Sequence, residues 1–136
     1  MTSAKRSDGT ITANFASIAR TITITVSIPT KWIDMFGPNH TVTGWTGEVN
    51  VFLNGNQIGT IVNKNEKALS SSITITNRTI NNGDQIRITG FCKPYCYQDG
   101  THSDFLIAGH NVEVESTKTV SSTSNQITFM IPESLM

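Results

Sequence analysis

Apolar and polar residues alternate along much of this chain, and the alternation writes out β-strands. Ile18, Ile22, Ile24, Val26 and Ile28 share one parity, and Thr21, Thr23, Thr25 and Ser27 share the other. Successive side chains of a strand point to opposite faces, so β-branched residues at period two predict a strand with one buried and one solvated side. Arg20 interrupts the apolar parity near its beginning and is expected at the sheet's end. Pro29 ends the segment, because it brings no backbone donor to a ladder.

The stretch from Gly47 to Phe91 carries the strongest local signals. Val49, Val51 and Leu53 alternate with Glu48, Asn50 and Phe52, then Asn54-Gly55 is followed by Ile58, Thr60 and Val62. Asn-Gly between alternating apolar residues predicts a hairpin with a type I′ turn, which requires positive φ at both central residues. A regular two-residue turn places Val51 opposite Ile58 and Val49 opposite Thr60, with Phe52, Gly59 and Ile61 on the other side. Ile73 and Ile75, a turn near Asn82-Gly83-Asp84, and Ile86 and Ile88 predict a second hairpin of the same kind.

The remaining segments add further strands. Ile11, Ala13 and Phe15 alternate, as do Val112 with Val114 and Ile127, Phe129 and Ile131; Phe105-Leu106-Ile107 is a short apolar run. Thr30 to Phe36 is the one place where a short helix is expected, with Thr30 as its cap. Gly90 to Gly109 (GFCKPYCYQDGTHSDFLIAG) reads as an irregular centre rich in turn residues. About eight to ten short strands with turn signals between them predict an all-β fold. A two-sheet antiparallel β-sandwich of jelly-roll or immunoglobulin-like type is preferred, with a closed barrel as the alternative. Residues 1–9 are expected to be a flexible segment, 10–132 a single domain and 133–136 a tail.

Composition narrows the partners. Charged residues make up 15% of the chain, well below the usual share, and the formal net charge is zero. Ser, Thr and Asn take the place of charge, so the surface suits hydrogen bonding to neutral polar groups. Without a basic excess, nucleic acid is a poor partner. No apolar run reaches the length of a membrane-spanning helix. The N-terminal MTSAKRSDGT holds no apolar core of a secretory leader, so cytoplasmic residence, release by another route or prior removal of a leader is expected, and the compartment stays open.

Candidate chemistry gathers at Cys92 to Asp104. Tyr95, Tyr97, Asp99, His102 and Asp104 lie close together there, and Phe91 leads into the segment. Flat aromatic faces with directional hydrogen-bonding groups suit a sugar ring, which has apolar C–H faces and a polar rim. The competing reading is that Tyr95 and Tyr97 cover the end of the core. Trp45, near Gly44 and Gly47, is a second candidate stacking platform. Cys92 and Cys96, the only two cysteines, have three residues between them, including Pro94, and permit a small-loop disulfide; two buried thiols compete with it. Cys92, Cys96, His102 and His110 have zinc-ligand chemistry but no standard zinc spacing. Asp99 and Asp104 leave calcium conceivable, although the EF-hand pattern is absent. No nucleophile elbow, zinc-protease helix or phosphate-binding glycine loop occurs.

These observations favour a non-enzymatic, lectin-like carbohydrate-binding module, acting in adhesion as a homo-oligomer. A self-assembling coat, sheath or fibre subunit is the alternative, because the strands lack the Lys-rich edges that block edge pairing. A small toxin or pore-forming component is a third reading.

Overall fold

The computed structural model describes residues 19–30, 41–97, 106–121 and 125–131. The expected strand over 10–15, most of the expected helix at 30–36, and the domain limits lie outside the described residues. Eight strands run through them: β1 (Ala19–Ser27), β2 (Val42–Leu53), β3 (Asn56–Asn63), β4 (Ser70–Thr79), β5 (Gln85–Tyr97), β6 (Leu106–Ala108), β7 (Val112–Thr119) and β8 (Gln126–Met130). They form two sheets that do not close into a barrel, and the arrangement is that of a β-sandwich. No helix among the described residues is long and apolar enough to cross a membrane.

In the three-stranded sheet, β1 lies between β4, which is antiparallel to it, and β8, which is parallel. In the five-stranded sheet, β5 is central. β2 pairs along one side of it, β6 and β7 pair along the other, and β3 lies beyond β2. The buried core fills the space between the sheets. β1 contributes Ile22, Ile24 and Val26, continued by Ile28; β8 contributes Ile127 and Phe129, continued by Ile131. From the larger sheet come Trp45, Val49, Val51, Leu53, Ile61, Ile86, Ile88, Cys92, Val112 and Val114. Each large aliphatic side chain so buried contributes about 1.5–3 kcal/mol of transfer free energy.

The period-two parity of β1 is realised as predicted, with the isoleucines inward and the hydroxyls outward. On the outer face the hydroxyls of β1 and β4 pair across the strands. Thr25 Oγ1 lies 2.8 Å from Ser72 Oγ, Thr23 Oγ1 lies 3.4 Å from Thr74 Oγ1, and Ser27 pairs with Ser70. Arg20 stands at the sheet's end, where its guanidinium donates to the Ser121 carbonyl and to Asn125 Oδ1.

The β2–β3 hairpin forms on the predicted turn, with φ of 48° at Asn54 and 89° at Gly55. Its register departs from the expected one. Leu53 faces Asn56 and Phe52 faces Gln57, but Val51 then faces Gly59 and Val49 faces Ile61. Ile58 is the extra residue of a β-bulge. A one-residue slip exchanges the two faces of a strand. The bulge therefore turns Ile61 into the core and leaves Thr60 outside, where its hydroxyl donates to Asn50 Oδ1 at 3.2 Å.

The second predicted hairpin does not exist. β4 pairs with β1, whereas β5 belongs to the other sheet. The Asn82-Gly83 turn is instead a corner between the layers. It is held by Asp84 N–H to the Asn81 carbonyl at 3.1 Å and by Val120 N–H to the Asp84 carbonyl at 2.7 Å. Nor is the segment from Gly90 irregular throughout: Gly90 to Tyr97 continues β5. Pro94 is tolerated inside this strand for a local reason. Its carbonyl accepts the Gly109 N–H at 2.8 Å, so the donor it lacks would point toward the same edge. At that point the edge is broken, with residues 109–111 separating β6 from β7.

Candidate functional site

The outer face of the larger sheet is laid out by the registers of β2, β5 and β7. Ile86, Ile88, Cys92 and Cys96 of β5 point inward, so Arg87, Thr89, Phe91, Lys93, Tyr95 and Tyr97 point outward. Phe91 is paired with Glu48 of β2 on one side and with Glu113 of β7 on the other. One step along the strands, Thr89 lies between Asn50 and Glu115.

Around Phe91 the surface dips into an open depression of about 530 Å³, lined by Glu48, Asn50, Thr89, Phe91, Asn111 and Glu113, with Gly47 and Gly90 in its floor. The two glycines let the backbones of β2 and β5 approach closely. Gly47 has φ +149°, a conformation side chains resist, and a Cβ on Gly90 would stand 2.2 Å from the Glu48 carbonyl oxygen. The Phe91 side chain is 56% exposed, the highest value among the large apolar residues exposed in the described part. Asn50 Oδ1 accepts from Gln57 Nε2 at 3.0 Å and from Thr60 Oγ1 at 3.2 Å, which leaves the amide nitrogen of Asn50 as its donor.

The charges near this depression are unequal. Arg87 binds Glu115 at 2.6 Å and its guanidinium lies 5.9 Å from the centre of the Phe52 ring, so that pair is internally balanced. Glu48 and Glu113 have no ion-pair partner among the described residues. Lys93 is the next outward residue of β5 toward Tyr95.

The residues singled out from sequence are distributed differently from the expectation. Tyr95 and Tyr97 lie on the outward face of β5, half-buried, and continue the aromatic line begun by Phe91. Thr46 Oγ1 donates to the Tyr95 hydroxyl at 3.3 Å, and Lys67 Nζ stands 6.0 Å from the centre of the Tyr97 ring. Asp99, His102 and Asp104 lie outside the described residues, and with them the calcium candidates.

Trp45 is corrected outright as a stacking platform. Its side chain is 0% exposed and forms part of the core. Its indole Nε1–H donates to the Leu69 carbonyl at 3.1 Å, and its backbone N–H to the Ala68 carbonyl at 3.3 Å. Asn63 holds the same connection from the other side, its amide donating to the Ala68 carbonyl at 3.0 Å. Trp45 therefore fastens residues 64–69 over the end of the core.

Cys92 and Cys96 are free and buried. Four residues along one extended strand span roughly 13 Å, far beyond disulfide reach. Burial pushes the Cys92 thiol up to about 12 and the Cys96 thiol up to about 11, from an ordinary 9.0. Cys92 and Cys96 stand too far apart along β5 to share one ion, and His110 is exposed at the β6–β7 break, so these three do not build the zinc site considered from sequence. Among the described residues no group of three or more His, Cys, Asp and Glu side chains is placed to hold a metal.

Nothing in the sequence singles out Glu48, Asn50, Thr89, Asn111 and Glu113 as parts of one site. Their outward parity was legible, but only strand order brings residues so far apart in the chain around one ring. Neither a protein-family model, nor a curated protein, nor a solved structure matches this chain.

Proposed function

We propose that this protein is a non-catalytic, lectin-like carbohydrate-binding module whose ligand lies along the outward face of β5. The observation that carries the reading is Phe91, exposed in the depression with Glu48 and Glu113 paired to either side of it. An exposed ring offers an apolar face to the C–H side of a sugar. The carboxylates and the amides of Asn50 and Asn111 offer acceptors and donors to its hydroxyls. Tyr95 and Tyr97 extend the platform: every second residue of a strand advances about 6.6 Å, so the aromatic line spans roughly 20 Å, the reach of a short oligosaccharide.

A shallow, open site of this kind binds one sugar segment weakly. Several copies displayed together would gain avidity, which links the reading to a homo-oligomer acting in adhesion. A glycan array with the wild-type protein and with Phe91→Ala tests it. The expected result is defined glycan binding that Phe91→Ala abolishes at unchanged melting temperature, and that Tyr97→Ala weakens. A blank array with folded wild-type protein overturns it.

The self-assembly reading keeps one specific support. From Thr21 to Ser27 in β1, from Ser70 to Thr76 in β4, and throughout β8, no charged side chain occurs. A sheet face without charge lacks a common barrier to pairing between copies, while the β8 edge is guarded by Lys118 from β7. Light scattering at rising concentration separates the two, because assembly without glycan binding favours the structural role.

A further inference from the structure

We infer that the Phe91 depression selects a sugar carrying a positive charge, that is, an amino sugar with a free ammonium group. The inference rests on the carbohydrate reading above and names its ligand class. A neutral sugar needs only the ring and hydrogen-bonding groups. Here two carboxylates bracket the ring instead. Glu48 and Glu113 are each paired with Phe91, so their backbones stand about 10 Å apart, two strand spacings, with the ring between them. Both are exposed, and neither has an ion-pair partner among the described residues. The nearby Glu115 is, by contrast, already matched by Arg87.

An ammonium group over the ring face would meet the negative face of the aromatic system and two carboxylates at once. The lining also sets an orientation. Lys93 stands on the Tyr95 side of Phe91, whereas on the opposite side stand the uncharged Thr89 and Asn50, beyond which Arg87 and Glu115 neutralise each other. The ammonium group therefore lies toward Thr89 and Asn50, and the rest of the oligosaccharide runs toward Tyr95 and Tyr97.

Calorimetric titration with a β-linked glucosamine trimer and with its N-acetylated counterpart tests the assignment. The amine trimer is expected to bind more tightly, and raising salt is expected to weaken it while leaving the acetylated trimer unaffected. Glu48→Gln and Glu113→Gln should each weaken the amine trimer by about two- to fivefold, as for exposed ion pairs. Lys93→Gln should strengthen it, an effect of opposite sign that general damage to the fold cannot produce. Circular dichroism melting curves confirm that each variant is folded. Equal binding of the two trimers, or preference for the acetylated one, overturns the charge assignment and leaves the carbohydrate reading standing. No binding of either trimer, together with a blank glycan array, overturns both.

Discussion

Cys92 and Cys96 show how much a single side chain's role depends on the backbone beneath it. Three intervening residues including a proline suggest a compact loop, and in a loop the two sulfurs meet. In an extended strand the same spacing sends both thiols to one face, too far apart to bond. Both thiols ionise less readily in the folded protein than in the unfolded chain. The unfolded state therefore releases protons first as pH rises past 9, and stability present below that pH is lost toward 11 and 12. Melting temperature should fall over this range, and a Cys92→Val, Cys96→Val variant should lose less of it. In native protein near neutral pH neither thiol should react with a thiol reagent, and unfolding should release both. Trp45 carries a similar lesson. Flanking glycines read as exposure, whereas one of them, Gly47, serves the close approach of β2 to β5. Trp45→Ala should cost about 3–5 kcal/mol by chemical denaturation, as for a fully buried aromatic, which separates its structural role from that of exposed Phe91.

At the scale of elements, most strands were legible, the second half of β5 excepted, and their partners were not. Parity placed β1, β2, β7 and β8 because each has one apolar face, and that property is local. The Asn54-Gly55 turn was legible for the same reason, since positive φ is a demand on two residues alone. The bulge at Ile58 was not, because it answers to the core: it brings Ile61 opposite Val49. Gly90 is another position set by a neighbour. Its missing Cβ makes room for the Glu48 carbonyl on β2, so Gly90→Ala should destabilise by about 1–3 kcal/mol, an overpacking cost with no apolar gain. Lys118 shows how an edge is handled. It has the inward parity of β7, yet its ammonium reaches the Thr128 carbonyl at 2.6 Å and lies 5.6 Å from the centre of the Phe129 ring, tying the larger sheet's edge to β8.

For the whole molecule, the two sheets share one core and exchange strands through the Asn82-Gly83 corner, so neither buries its inner face alone. Unfolding should accordingly be a single transition. In a Trp32→Phe background, far-ultraviolet circular dichroism and Trp45 fluorescence should report the same midpoint, and separated midpoints would show that the sheets unfold independently. The candidate site is also a property at this scale. Alternation determined that Glu48 and Glu113 are solvent-facing, because side-chain direction follows from period two and the need to bury the other face, whereas the outward turn of Phe91 follows from β5 running on through Tyr97. That the three meet was decided by β5 lying between β2 and β7, through backbone pairing that no side-chain pattern specifies. The sequence by itself settled the positions of β1, β7 and β8, the hairpin turn and the all-β class, each set by local conformational preference and by the burial of one face. Tertiary structure alone decided which sheet each strand joins, the inward turn of Trp45, the separation of the cysteines and the carboxylates beside Phe91, because these depend on contacts between residues distant in the chain.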